Sequence, residues 1–227
     1  MEALFDKSKE YDEMLNKGIS LSGEDKYFFI HGRFKDLAKN LSNKLTVHSI
    51  LDFGCGIGDA TMLLKQYFPD AVIVGTDTAD EALSYARIKN SDNGRINYTE
   101  LKNFSTKNTF DLCFVNGVFH HIPLEQRAEA LKLIYDALKP GGVLALFENN
   151  PINPGTRMVM KRIPFDRDAI VLYPAETKKL LKTAGFNLIY PPRFLFYFPA
   201  LLAFLRPFEK ILMRLPFGAQ YYFIAKK

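Results

Sequence analysis

"ILDFGCGIGDATMLL", residues 50–64, places three glycines at every second position directly behind an apolar run. Glycine tolerates positive φ and has no Cβ, so Gly54, Gly56 and Gly58 indicate a tight loop that another group approaches closely. The run "SILDF" ahead of the loop is typical of a strand buried on both faces, and "DATMLLKQYF" behind it has the pattern of a helix. The stretch therefore predicts a strand, a glycine loop and a helix, with the acid Asp52 just before the loop.

The same alternation of strand and helix continues along the chain. "AVIVGTD", "RINYTE", "FDLCFVN" and "VLALFEN" are predicted strands, and helices are predicted over about 80–89 and 124–138. This order predicts an α/β fold with a doubly wound parallel sheet. Asp77, Asn116 and Glu148 end their predicted strands, so we expect them to meet the glycine loop at one edge of the sheet.

The glycine loop fits neither of two common nucleotide-binding motifs. A phosphate-binding P-loop would end in Gly-Lys-Ser/Thr, which is absent from the sequence. A dinucleotide fingerprint would have its third glycine at position 59, which is Asp59. The sequence instead reads D-x-G-x-G-x-G, and Asp77 at the end of the second strand can accept both ribose hydroxyls of an adenosine.

Several ordered motifs resemble one enzyme family. Asp52–Gly58, "VGTD", "FDLCFVNGVFHHI" and "LKPGGVLALFE" resemble, in order and spacing, the motifs of class I S-adenosylmethionine-dependent methyltransferases. The broader pattern is similar to quinone-biosynthesis-type and polysaccharide-cluster methyltransferases. The resemblance implies a mostly parallel seven-stranded Rossmann-like sheet with helices on both faces. It also divides a single domain, 1–227, into N-terminal lid helices (1–48), a cofactor-binding core (49–148) and an aromatic-rich acceptor-side insertion with closing strands (149–227).

The resemblance also implies S-adenosyl-L-methionine as the cofactor. This molecule carries a sulfonium, an amino-acid tail and a ribose but no phosphate, so the loop need not bind an anion. Asp52 would lie near its ammonium group, Asp77 would bind the ribose diol, and Thr78 and Leu101 would border the adenine. The expected cofactor-binding residues are Asp52, Gly54, Cys55, Gly56, Gly58, Asp77, Thr78, Leu101, Asn116, Gly117 and Val118.

Methyl transfer to a hydroxyl needs a group that removes a proton. His121 and His120 directly follow the fourth predicted strand, and imidazole suits this task near neutral pH. Glu148 is a further candidate base. A structural or cofactor-shell role for the histidines stays open. Some relatives bind Mg²⁺ at this edge, but position 116 is Asn rather than an acid, so no metal is predicted.

The C-terminal third has an uneven charge. Residues 149–227 contain 13 Lys/Arg and 4 Asp/Glu, which indicates either an anionic partner or an ordinary solvated lysine-rich face. Residues 193–217 are rich in aromatics, yet their longest uncharged run, "FLFYFPALLAFL", is too short to span a bilayer. Two interpretations stay open for them: packing on the core, or peripheral contact with an anionic membrane.

Taken together, the sequence predicts a methyltransferase acting on a small or lipid-linked metabolite, with oxygen as the expected acceptor atom. The alternatives are an RNA methyltransferase, disfavoured because no RNA-binding module is appended, and a non-catalytic cofactor-binding protein. The only cysteines, Cys55 and Cys113, do not form a disulfide pattern. We therefore expect a cytoplasmic protein, either free or at the inner face of the membrane.

Overall fold

A computed structural model describes residues 8–42, 45–91 and 94–227 of the chain. The predicted strands and helices are present close to their expected positions. The strands are β1 (Ser49–Phe53), β2 (Val72–Asp77), β3 (Ile96–Glu100), β4 (Phe110–Asn116), β5 (Leu138–Asn149), β6 (Leu188–Ile189), β7 (Arg193–Leu195) and β8 (Gln220–Lys226). The α-helices are α1 (Ser8–Ile19), α2 (Lys26–Leu41), α3 (Asp59–Tyr67), α4 (Asp80–Lys89), α5 (Arg127–Ala137), α6 (Pro154–Arg162), α7 (Pro174–Thr183) and α8 (Glu209–Leu212). Short 3₁₀ segments occur at Ser20–Ser22, Leu101–Asn103, Leu124–Gln126, Pro164–Asp166 and Ala200–Phe208.

All the strands belong to one sheet with the order β3-β2-β1-β4-β5-β8-β6. β1 to β5 run parallel, and β8 is antiparallel to β5. β6 and β7 both pair with β8 on the side away from β5, so together they form one interrupted edge. Tyr190, Pro191 and Pro192 separate the two short strands, and prolines are tolerated there because an edge strand needs fewer ladder hydrogen bonds. The predicted doubly wound, mostly parallel sheet is confirmed.

The sheet is buried on both faces. Along β4, Leu112 and Phe114 pack into one core while Cys113 and Val115 pack into the other, because successive side chains of a strand point to opposite sides. α2 and α3 cover the first face, and α5 and α7 cover the second. This double burial explains why the central strands are continuous apolar runs rather than alternating ones.

The proline-containing stretch after β5 includes a helix that the sequence pattern did not predict. Asn153 caps α6, since its side chain accepts a hydrogen bond from the Thr156 amide at 2.9 Å, and Pro154 occupies the first helical turn. Both residues are favourable at a helix start. The two cysteines are free and buried. In the part of the chain that the structure describes, the helices are too short or too polar to cross a bilayer.

Candidate active site

The glycine loop connects β1 to α3 at the carboxyl edge of the sheet. Gly54, Gly56 and Gly58 all have positive φ, of 75°, 52° and 79°. A Cβ on Gly54 would lie 2.4 Å from the Val118 side chain, whereas a Cβ on Gly56 would have no atom within 4 Å. Gly54 is therefore needed for packing, while Gly56 leaves open space above the loop.

Asp77 at the end of β2 holds this loop in place. One carboxylate oxygen accepts the Gly56 amide at 2.8 Å, and the other accepts the Ala79 amide at 3.0 Å. Each carboxylate oxygen can accept more than one hydrogen bond, so Asp77 can orient the loop and still bind a ligand diol. The sequence pattern predicted only a ligand-binding role for Asp77.

Asp52 is buried beside the loop and accepts a hydrogen bond from the Thr61 hydroxyl at 2.6 Å. Burial raises the pKa of Asp52 to about 7, and the nearby Asp77 carboxylate adds to the increase while Thr61 opposes it. A cation in the adjoining space would favour the ionised carboxylate. This part of the site is therefore suited to a positively charged ligand.

These residues open into one cavity of about 1180 Å³, lined also by α1, α2, α6 and the segment 196–199. Ligand pockets typically enclose about 300–1,000 Å³, so this cavity has room for two ligands side by side. Asn116, at the end of β4, lines it, and its buried Oδ1 has no hydrogen-bond partner among the described residues. A buried acceptor of this kind requires a donor, which a bound ligand can supply.

Two histidines and two acids form a cluster next to the cavity. His120 Nδ1 donates to Glu148 Oε2 at 2.5 Å, and the other Glu148 oxygen accepts the Phe119 amide at 2.8 Å. On the other side, Asp166 Oδ1 lies 3.4 Å from His120 Nε2 and 3.2 Å from His121 Nε2. Glu148 is almost fully buried behind His120, whereas His120, His121 and Asp166 line the cavity.

The two carboxylates give His120 an unusual charge state. Although burial disfavours the protonated ring, Glu148 and Asp166 together raise the pKa of His120 to about 10. The opposite effect acts on Asp166, since hydrogen bonds from the two histidines outweigh burial and lower its pKa to about 2. His120 is therefore a protonated, positively charged side chain at neutral pH, and it cannot accept a further proton. The His120, His121 and Asp166 donor atoms lie within 4.8 Å of one another, a grouping that could also ligate a metal.

Sequence reasoning missed an ion cluster at the start of α3. Asp59 is buried and pairs with Lys26 of α2 at 2.5 Å and with Lys89 of α4. Asp59 also lies in the first helical turn, where a negative charge is favourable. The only signal in the sequence was an acid in place of the third glycine, and nothing local identified its two partners.

The structure brings nearly all the predicted cofactor residues together. Lining the cavity are Asp52, Gly54, Cys55, Gly56, Asp77, Thr78, Leu101, Asn116, Gly117 and Val118. Gly58 lies behind the loop, where a Cβ would be 2.5 Å from the Tyr98 hydroxyl. Asp166 lies within the predicted insertion rather than at the end of a predicted strand, and it was not expected at the site.

Comparison with known proteins identifies a methyltransferase domain in this chain. Residues 51–144 match the family model described as a methyltransferase domain. The trans-aconitate 2-methyltransferase of Deinococcus radiodurans is 33% identical over 97 residues, which are 43% of this chain and 36% of that protein. Residues 51–144 are therefore a methyltransferase domain of the class I S-adenosylmethionine-dependent type. The corresponding enzyme of Rhodopseudomonas palustris (strain BisB5) is 27% identical over 122 residues, 54% of this chain and 46% of that protein. The matches thus span less than half the length of these relatives.

Solved structures share the fold of this methyltransferase. A SAM-dependent methyltransferase from Archaeoglobus fulgidus has a TM-score of 0.61 at 19% identity and is covered completely, with 89% of this chain aligned. The site of this methyltransferase fits S-adenosylmethionine, the family's cofactor. Two carboxylates, Asp52 and Asp77, and the unpaired amide oxygen of Asn116 surround an open glycine loop. Such acceptors suit a cationic, phosphate-free nucleoside better than an anionic nucleotide.

Proposed function

We propose that this methyltransferase transfers a methyl group from S-adenosylmethionine to an oxygen atom of a small acceptor with an apolar body. One observation carries the proposal: the glycine loop with its two carboxylates and the His121–Asp166 pair line the same cavity. A methyl donor held at the glycine loop would lie beside an acceptor held at the His121–Asp166 pair. Holding two reactants in line supplies much of the acceleration in a displacement reaction.

The cofactor-binding role is assigned to the residues of the loop and of the strand ends. S-adenosylmethionine supplies a methyl group already activated by its sulfonium. Asp77 would accept hydrogen bonds from the ribose hydroxyls, and Asp52 and Asn116 would bind the ammonium end. Gly56, open above its Cα, would allow the backbone to contact the ligand directly. Thr78 and Leu101 would border the adenine at the outer end of the cavity.

His121 is the proposed general base. His120 is held in its protonated form by Glu148 and Asp166, which leaves His121 as the imidazole that can accept a proton from the acceptor hydroxyl. Asp166 would orient the His121 ring through Nε2 and stabilise the positive charge that develops on it. Glu148 does not line the cavity and acts as a positioning residue for His120. The protonated His120 would add a positive charge near an anionic acceptor or a developing oxyanion.

We call the part of the cavity beside the His121–Asp166 pair the acceptor half; the cavity walls as a whole favour an apolar acceptor. They include the aromatic side chains Phe29, Phe165, Phe196, Tyr197, Phe198 and Phe217, with Met158 and Met160 from α6. The curated relatives are named for trans-aconitate, a polycarboxylate, which would need several cations. Arg33 lines the cavity and already donates to Gln220 at 2.8 Å. An acceptor with a hydroxyl on an apolar or lipid-linked body fits these walls better.

The proposal is tested with purified protein and methyl-labelled S-adenosylmethionine. Calorimetry should detect binding of the cofactor and of its demethylated product. Incubation with lipid and aqueous extracts of the source cells should label an apolar product, and trans-aconitate tested in parallel should be a poorer acceptor. Labelled RNA would instead support the RNA methyltransferase alternative, and cofactor binding without any labelled product would support a non-catalytic protein.

A further inference from the structure

The segment 200–217 presents an apolar side to solvent. We define the apolar ridge as its exposed side chains Leu201, Phe204, Phe208, Ile211, Leu215 and Phe217. Leu201 is 90% exposed, Ile211 75% and Phe204 71%. The first five follow one another at intervals of three and four residues, along the 3₁₀ segment Ala200–Phe208, α8 and the turn that follows it. In an ordinary surface helix this side would face the core.

Two charged side chains of the same segment, Arg206 and Glu209, contact the protein instead. Arg206 donates to Glu24 at 2.5 Å and to the Phe198 carbonyl at 3.1 Å, and its guanidinium lies 4.5 Å from the centre of the Phe28 ring. Glu209 accepts the Phe198 amide at 2.7 Å. These contacts fix the orientation of the segment, so the ridge is exposed by a defined structure and not by a loose chain.

Exposed cations accompany the ridge. Lys210 and Arg214 lie within the segment, and Arg157, Lys161 and Arg162 lie on α6. The two regions are joined, because Asn153 at the start of α6 donates to the Phe217 carbonyl at 2.7 Å. Large apolar side chains next to Lys and Arg are the composition of surfaces that lie in the headgroup region of a membrane.

The ridge also reaches the mouth of the cavity. Phe217, Met158 and Leu21 all line the cavity and are half or more exposed. A molecule residing in a lipid layer below the ridge would enter the acceptor half without crossing water. This step rests on the proposed function, whereas the exposure and charge of the ridge do not.

We propose that the apolar ridge, together with the cations of α6, docks this methyltransferase onto an anionic bilayer surface. The side chains of the ridge insert among the lipid headgroups, and the cations pair with lipid phosphates. The contact is peripheral, which agrees with the absence of a helix long enough to span a bilayer among the described residues. The docked orientation places the cavity mouth against the membrane.

Flotation with vesicles tests this proposal without any methyl transfer. The protein should float with vesicles of phosphatidylcholine and phosphatidylglycerol, bind pure phosphatidylcholine at least tenfold more weakly, and dissociate as salt is raised. Leu201→Ser combined with Ile211→Ser should reduce binding at least tenfold. The matched control is Ile88→Ser combined with Leu124→Ser, two positions that are 77% and 61% exposed elsewhere on the protein. This control should bind as the natural protein does.

A second pair of variants tests the cations. Lys161→Glu with Arg162→Glu should reduce binding to anionic vesicles, and Lys178→Glu with Lys179→Glu, at two exposed positions of α7, should reduce it much less. Calorimetry should show unchanged affinity for S-adenosylmethionine in every variant, so loss of docking and loss of cofactor binding are distinguishable. If the natural protein stays in solution with anionic vesicles, the proposal is wrong. A dimer that the Leu201→Ser/Ile211→Ser variant converts to monomer, without vesicle binding, would instead assign the ridge to self-association.

Discussion

Nε2 of His121 lies 3.2 Å from Oδ1 of Asp166, which joins the loop after β4 to the segment after α6 across the cavity. The same carboxylate lies 3.4 Å from His120. Asp166 therefore contacts one histidine that is held protonated and another that faces the acceptor half. This arrangement separates the two neighbouring histidines into different roles.

The first prediction concerns His121. His121→Asn should lower kcat for methyl transfer to the acceptor by about 10²- to 10⁴-fold, the usual contribution of a general base. Affinity for S-adenosylmethionine should stay within about twofold, because the loop and its carboxylates are unchanged. Steady-state kinetics and calorimetry measure the two quantities. His48→Asn, at an exposed histidine, is the control. An unchanged kcat in His121→Asn would eliminate the base assignment.

Asp166→Asn tests whether Asp166 positions the His121 ring. The variant should lower kcat less than His121→Asn does, because His121 keeps its imidazole and loses only the carboxylate that orients it. A variant that merely loosened the segment would raise KM and leave kcat unchanged. Asp168→Asn, at an exposed neighbour, should alter neither quantity.

The third prediction concerns Asp77. Asp77→Asn should weaken binding of S-adenosylmethionine and of its demethylated product by about 10- to 100-fold, since a hydrogen bond to a charged group contributes about 1.5–3 kcal/mol. Both ligands carry the same ribose, so both should be affected equally. Asp80→Asn, on the exposed first turn of α4, should leave both affinities unchanged. Isothermal titration calorimetry gives the comparison directly.

Ionisation of Asp52 should make the affinity for the cofactor depend on pH. Its pKa, raised to about 7 by burial, means that the carboxyl is neutral below that pH in the free protein. A cationic ligand favours the ionised form, so affinity should rise with pH by up to about tenfold per unit and level off above pH 7. Asp52→Asn should bind more weakly at pH 8 and show a flat profile between pH 5.5 and 8.5. A flat profile in the natural protein would contradict this role.

The substitutions Gly56→Ala and Gly58→Ala should have different effects on stability and on cofactor affinity. A Cβ at position 56 would have no atom within 4 Å. The unfolding free energy of Gly56→Ala should therefore fall only by about 1–2 kcal/mol, the cost of placing alanine at a positive φ. Its cofactor affinity should fall steeply, because the new methyl group enters the cavity. Gly58→Ala contacts the Tyr98 hydroxyl at 2.5 Å and should lose more stability. Gly58→Ala combined with Tyr98→Phe should recover part of that loss. Urea denaturation and calorimetry separate the effects.

Much of this architecture was predictable because it depends on local pattern. The apolar runs of β1, β2, β4 and β5 and the loop glycines are local signals, and the topology rules for parallel sheets bring their ends together. Ten of the eleven predicted cofactor residues line the cavity. Gly58 differs because its role is to pack against Tyr98, which is a contact between distant parts of the chain.

The remaining features depend on long-range contacts that carry no local pattern. Glu148 was predicted as a candidate base, and only the fold shows that His120 and the Phe119 amide occupy its oxygens. Asp166 and the Lys26–Asp59–Lys89 cluster are likewise formed by residues from separate elements. For residues 193–217 the sequence left packing and membrane contact open. The structure buries Phe194, Leu195 and Met213 but exposes the ridge, so packing on the core accounts for part of the segment and membrane contact stays a prediction.

Asp59 also has a consequence for how much of this chain can function alone. The homologous match begins at residue 51, which makes the region from there onward an attractive minimal enzyme. A protein shortened in that way would lose Lys26 and leave Asp59 with Lys89 as its one remaining partner in the cluster. It would also lose Phe34 and Leu37 of α2 and so expose the face of the sheet that they cover. The helix α2 is thus part of the folded unit that carries the glycine loop, because its Lys26 balances the charge of Asp59 and its apolar side covers the sheet.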